Sequence, residues 1–111
     1  MSFDIKPVAG FRKDFKTLSK KYKKLEDDIR KVILELRKKP KAGTYLQNNC
    51  YKIRMANSST PTGKSGGFRI IYYFIDEQNN LYLMNIYSKT QKESISESEL
   101  LVLLKLNGLG K

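Results

Sequence analysis

Apolar and polar positions alternate from Phe3 to Lys6, which predicts a short first strand. Pro7 and Gly10 break that pattern. Phe11, Phe15 and Leu18 then recur at helical spacing with Lys and Arg between them, so residues 9–20 read as an amphipathic helix. A second helix is predicted over residues 22–38, where Leu25, Ile29, Val32, Ile33 and Leu36 keep a three/four spacing. Glu26, Asp27 and Asp28 lie in its first half and Arg37, Lys38 and Lys39 at its end, a polarity that suits the helix dipole. Pro40 stops it, and Lys41-Ala42-Gly43 leads away. The two helices are expected to form a hairpin.

From Cys50 the period is two again. Tyr51, Ile53 and Met55 face one way, Lys52 and Arg54 the other. Residues 57–67 are rich in Ser, Thr, Gly and Pro and read as a loop. Residues 68–75 form an aromatic and β-branched run, the signature of a central strand. Residues 76–80 make a turn and residues 81–87 the returning strand of a hairpin. After a polar loop over residues 88–93, Ser96 with Glu99 three positions on marks a helix start. Leu100, Leu101, Leu103, Leu104 and Leu106 fill that helix, and Gly108 and Gly110 end it. The expected fold is α+β with the order β-α-α-β-β-β-α, in one domain over residues 1–111. Its last three strands form an antiparallel meander with the helical hairpin on one face.

Charge narrows the function. Lys and Arg outnumber Asp and Glu by 22 to 11, giving a net charge of +11. Such an excess attracts polyanions, nucleic acid first, then an acidic protein. No apolar run reaches membrane-spanning or signal-peptide length, so no membrane role is expected. Cys50 is the single cysteine, so no internal disulfide forms, and these features together point to the cytoplasm. The absence of His excludes His-based acid–base catalysis and removes the commonest zinc ligand. The acidic residues show no compact ligand pattern, so neither a metal nor a cofactor is expected.

Gly63-Lys64-Ser65 suggests a phosphate-binding P-loop, but Ser58 occupies the position where that motif needs its first Gly, and a strand follows instead of a helix. It reads as a flexible basic hairpin loop in which Lys64 can touch phosphates. Lys20-Lys21-Tyr22-Lys23-Lys24 is either a solvated turn or a phosphate contact. Lys52 and Arg54 form either a plain solvent face or part of a cationic surface. Arg69 interrupts a central strand, where a charge needs a partner or a function. Tyr87, Lys89 and Lys92 lie at and beyond the end of the last strand. If the meander forms, these cations converge on one open sheet surface. That arrangement suits RNA phosphodiester chemistry, in which the ribose 2′-OH attacks the adjacent phosphate. The protein then stabilises developing charge with cations. Lys or Tyr moves protons where neighbouring positive charge has shifted its pKa. Tyr rings can stack on bases.

Cys50-Tyr51-Lys52-Ile53-Arg54, Gly66-Gly67-Phe68-Arg69-Ile70-Ile71-Tyr72-Tyr73-Phe74 and Leu83-Met84-Asn85-Ile86-Tyr87-Ser88-Lys89 together resemble the RelE/ParE toxin superfamily, most of all its HigB-type branch. The resemblance covers nearly the whole chain. It implies a small twisted antiparallel sheet with an N-terminal helical hairpin and a C-terminal helix. It implies the toxin of a type II toxin–antitoxin pair, a metal-independent endoribonuclease that cuts mRNA on the ribosome. Its partner would be a cognate antitoxin of helix-turn-helix type. By position, Lys52, Arg54, Arg69 and Lys89 match the family's catalytic basic residues, and Lys64, Tyr87 and Lys92 are candidate RNA contacts. The chain departs from RelE proper at Thr90, where that family has a further Arg, and at Ile95, where it has a Tyr. The same fold hosts ParE-type inhibitors of DNA gyrase, and a plain nucleic-acid-binding module is a third reading.

Overall fold

A computed structural model describes residues 3–60, 67–75, 77, 79–92 and 94–110 of the chain. The elements run β1 (Asp4–Pro7), α1 (Ala9–Lys21), α2 (Leu25–Lys38), β2 (Thr44–Gln47), β3 (Cys50–Met55), β4 (Phe68–Ile75), β5 (Asn80–Ser88) and α3 (Glu97–Leu106). They build an α+β fold around a five-stranded sheet of order β1-β5-β4-β3-β2.

The meander β3-β4-β5 is antiparallel, as the alternation and turn signals predict. Two features of the sheet go beyond the sequence pattern. β1 joins β5 in parallel, so the sheet is mixed. On β1, Asp4 N–H donates to the Asn79 carbonyl and Val8 N–H to the Leu83 carbonyl. The even-numbered positions therefore face β5, and Pro7, which has no N–H, sits at the outward edge where none is needed. The second feature is β2, an edge strand in a stretch that the sequence pattern assigns to connecting chain. It pairs with β3 through Thr44↔Lys52 and Tyr45↔Tyr51. Asn48 and Asn49 link the two strands with φ of 52° and 62°. Two left-handed residues in a two-residue loop make a turn of the I′ kind, and Asn is among the few side chains that tolerate it.

The sheet is covered on both faces. Phe11 of α1 and Leu25, Ile29, Val32 and Leu36 of α2 pack on Tyr51, Ile53, Met55, Phe68, Ile70, Tyr72 and Leu83. Leu100 and Leu104 of α3 pack on Cys50, Ile71, Tyr73, Met84 and Tyr87 of the opposite face. β4 is buried on both sides, which is why its sequence is a continuous apolar run without alternation.

Polar anchors fix the connections. The Tyr72 hydroxyl donates to the Pro40 carbonyl at 2.7 Å and accepts from Gly43 N–H at 3.1 Å. A Cβ at Gly43 would lie 2.7 Å from the Lys52 carbonyl oxygen, so only glycine lets the chain pass this close to β3. Asp28, 2 % exposed, accepts hydrogen bonds from Ser58 N–H at 2.9 Å and from Ser58 Oγ at 2.6 Å. Ser59 Oγ accepts from Lys24 N–H. The chain leaving β3 is thereby fastened to the start of α2. At α3 the expected capping box is present: Ser96 Oγ accepts from Glu99 N–H, and a Glu99 carboxylate oxygen accepts from Ser96 N–H.

Candidate nucleic-acid interface

Arg54 and Arg69 are direct cross-strand partners in the β3–β4 ladder, so both side chains project from the same face. Lys52 lies on that face two residues earlier on β3, roughly 7 Å along the strand. The alternation read from the sequence is therefore realised: Tyr51, Ile53 and Met55 are buried under the helical hairpin, Lys52 is half-buried and Arg54 is exposed.

On the other side of Arg69 the partner is Tyr87 of β5. The β4–β5 register shifts between Ile71 and Tyr72, which pair with Asn85 and Leu83 respectively, leaving Met84 as an extra residue in β5. Such a bulge reverses the facing of every later residue in the strand. Ile86 joins the hairpin-side core and Tyr87 turns to the face of Arg69. Without the bulge, strict alternation from Leu81 and Leu83 would place Tyr87 under the helices.

Here the expectation of an open surface is corrected. Arg69 is 5 % and Tyr87 3 % exposed, and Leu100 and Leu104 of α3 pack in the cluster that holds Tyr87. The Arg69 guanidinium donates to the Phe68 carbonyl at 3.2 Å, and no described carboxylate pairs with it. The Tyr87 hydroxyl is buried with no hydrogen-bond partner among the described residues. Burial raises the Tyr87 pKa above its ordinary value, while the Arg69 charge pulls the other way. The phenol thus stays protonated at neutral pH, a donor with nothing to donate to. Its buried ring offers no free face to stack on a base, which corrects the stacking role expected from the sequence.

The segment after β5 completes the cluster. Lys89 N–H donates to the Gly67 carbonyl, which seats the exposed Lys89 beside the start of β4. Lys92 places its Nζ 5.3 Å from the centre of the Tyr87 ring and 2.7 Å from the Glu99 carboxylate. Held first by the Lys92 ammonium and then by Ser96, Glu99 has its pKa lowered to about 2. Lys64 and the Gly63-Lys64-Ser65 motif lie outside the described residues.

A cleft of about 300 Å³ opens between α1 and the end of β5, lined by Asp14, Thr17, Asn85, Tyr87, Gln91 and Lys92 among others. Asp14, Thr17, Asn85 and Gln91 are invisible to the sequence pattern, because helical periodicity names the buried side of α1 and not what it faces across the sheet. Among the described residues no three His, Cys, Asp or Glu side chains cluster as metal ligands. No described helix is long and apolar enough to cross a membrane. Burial pushes the Cys50 thiol up to about 12, which keeps it protonated and unreactive.

No protein-family model matches the chain. Its fold is that of the Escherichia coli toxin RelE. A doubly arginine-to-alanine-substituted RelE in the free state superposes with a TM-score of 0.60 at 20 % identity, over 84 % of this chain and 90 % of that one. The isolated RelE toxin gives 0.59 at 18 % identity, over 95 % and 99 %. RelE from the intact RelBE toxin–antitoxin complex gives 0.57 at 18 % identity, over 77 % and 94 %.

Proposed function

We propose that this chain is the toxin of a type II toxin–antitoxin pair, a single-domain, metal-independent endoribonuclease that cuts mRNA on the ribosome in the cytoplasm. The observation that carries this reading is the Arg54–Arg69–Tyr87 row: two guanidinium groups and an unpartnered phenol on three consecutive paired strands, in a chain of net charge +11. Like charges directly opposite each other in a ladder repel, and a buried donor without an acceptor is costly. With the side chains over Arg69 and Tyr87 moved aside on binding, an RNA phosphate answers both needs at once. The 2′-OH attacks the neighbouring phosphorus, charge builds on the non-bridging oxygens, and Arg54 and Arg69 stabilise it. Lys52 and Lys89 add charge or carry protons, and Lys64, Lys92 and the Tyr87 hydroxyl contact the RNA. The partner is a cognate antitoxin, as RelE has in the RelBE complex, and the strand motifs around Arg54, Arg69 and Tyr87 favour a HigB-type toxin with a helix-turn-helix antitoxin.

The test is mapping of mRNA 5′ ends after brief induction in a bacterium lacking the antitoxin, with Arg69→Ala as control. New ends at fixed codon positions, on translated messages and with the unsubstituted chain only, are expected. Growth arrest without new ends would sink the ribonuclease reading and move the target to a protein, DNA gyrase first.

A further inference from the structure

The cleft between α1 and the end of β5 has a chemistry of its own. β1 accompanies β5 only as far as Leu83, so beyond the Met84 bulge the outer edge of β5 borders this cleft. Asp14 of α1 lines one side, Asn85 of β5 and Gln91 line the other, and Tyr87 joins the cleft to its cross-strand partner Arg69. Its volume of about 300 Å³ lies at the bottom of the usual range for ligand sites, about 300–1,000 Å³, and suits one flat heterocycle. Asp14 is exposed and Asn85 half-buried, and among the described residues neither side chain has a hydrogen-bond partner or an ion pair. Gln91 is engaged at one end only. Its carbonyl oxygen accepts from Ser88 N–H at 2.9 Å, which leaves its amide N–H groups to donate.

Asp14 is the one carboxylate of α1, whose other charged residues are Arg12, Lys13, Lys16, Lys20 and Lys21. The positions one turn away, Gly10, Phe11, Thr17 and Leu18, hold no cation to pair with it. A carboxylate here works against the attraction of a polyanion, so a solvated surface charge is a poor account of it. It has two acceptor oxygens and no donor. On its Watson–Crick edge guanine alone offers two adjacent donors, N1–H and the N2 amino group, beside the O6 acceptor. Adenine and cytosine offer one amino donor next to a ring-nitrogen acceptor, and uracil one N–H between two carbonyl oxygens. Each of these sets a lone pair against the carboxylate, which penalises the wrong base. Single-stranded RNA is read in this way, by unstacked bases that present such edges.

We propose that this cleft reads an unpaired guanine beside the cleaved phosphate, with Asp14 accepting from N1–H and the N2 amino group and the Asn85 and Gln91 amides donating to O6. The inference rests on the ribonuclease reading above and gives that site a base preference.

The experiment titrates the full chain calorimetrically with the 5′-monophosphates of guanosine, adenosine, cytidine and uridine. The guanosine nucleotide should bind about tenfold more tightly than the other three. Asp14→Asn replaces an exposed side chain without a described partner, so the variant is expected to fold as the unsubstituted chain does. Removing a negative charge favours every anionic ligand, so a purely electrostatic role for Asp14 predicts tighter binding of all four nucleotides. A base contact predicts that the guanosine nucleotide alone weakens, about tenfold, and the preference disappears. Arg69→Ala should weaken all four alike, because phosphate contacts carry no base information. Equal affinities for the unsubstituted chain, no binding, or a uniform response to Asp14→Asn would each overturn the guanine cleft. In cells, guanine should be in excess beside the mapped mRNA cuts and lose that excess in Asp14→Asn, and cuts without any excess would overturn the cleft as well. Selective guanosine nucleotide binding without mRNA cuts would remove the ribonuclease reading and leave the guanine site standing.

Discussion

Arg54 and Arg69 face each other across the β3–β4 ladder with the same charge, one exposed and the other 5 % exposed. A fold optimised for stability alone would not keep that pair, because like charges directly opposite destabilise a sheet. Truncating the exposed member should therefore help the free protein while harming its chemistry. Arg54→Ala is expected to raise the unfolding free energy by about 0.2–1 kcal/mol and to cut RNA cleavage about 100-fold. Urea denaturation and a cleavage assay on the same preparations decide it. A loss of stability in Arg54→Ala would mean that the pair is structural.

Tyr87→Phe removes only the unpartnered hydroxyl. In the free chain this relieves an unsatisfied buried donor, so stability should hold or rise by about 1 kcal/mol. If the hydroxyl donates to a phosphate, cleavage should fall about tenfold despite the sturdier fold. Unchanged cleavage would leave Tyr87 as packing beneath α3.

Lys92 holds Glu99, whose pKa lies at about 2, below the ordinary value of 4.5. A depressed carboxylate contributes stability that is full above pH 4.5 and is lost as pH falls toward 2. Carbon NMR titration of the Glu99 carboxyl should show the low midpoint, and Lys92→Ala should move it up toward 4.5. An unchanged midpoint in Lys92→Ala would assign the shift to the Ser96 cap alone.

Asp28 fastens the exit of β3 to α2 through both Ser58 hydrogen bonds. Asp28→Ala leaves those two donors without their acceptor and should cost about 3 kcal/mol, with Ser58→Ala costing less because its N–H still bonds. The urea midpoint of each variant measures this. A loss below about 1 kcal/mol for Asp28→Ala would show that the loop re-bonds to water.

Much of the fold was legible because it depends on local pattern. The three/four spacing of Leu25, Ile29, Val32 and Leu36, the alternation from Tyr51 to Met55 and the Ser96–Glu99 box each state their element within a few residues. The excess of Lys and Arg pointed to a polyanion, and the placement of Lys52 and Arg54 on one side of their strand followed from period two. Edge strand β2 was missed because Thr44–Gln47 is short and half polar. Its signal is the Asn48–Asn49 turn, which acquires meaning only once β3 is present to return to.

What tertiary structure alone decided is the company Arg69 keeps. A period-two pattern assigns faces only along an unbroken ladder, and the extra residue Met84 in β5 exists only relative to β4. That bulge turns Tyr87 to Arg69, and α3 then lays Leu100 and Leu104 in the cluster that buries Tyr87. The sequence determined by itself which cations the sheet carries. Whether each is a solvated charge or a buried one beside an unpartnered phenol depended on strand register and on the helix laid over them, relations between residues far apart in the chain.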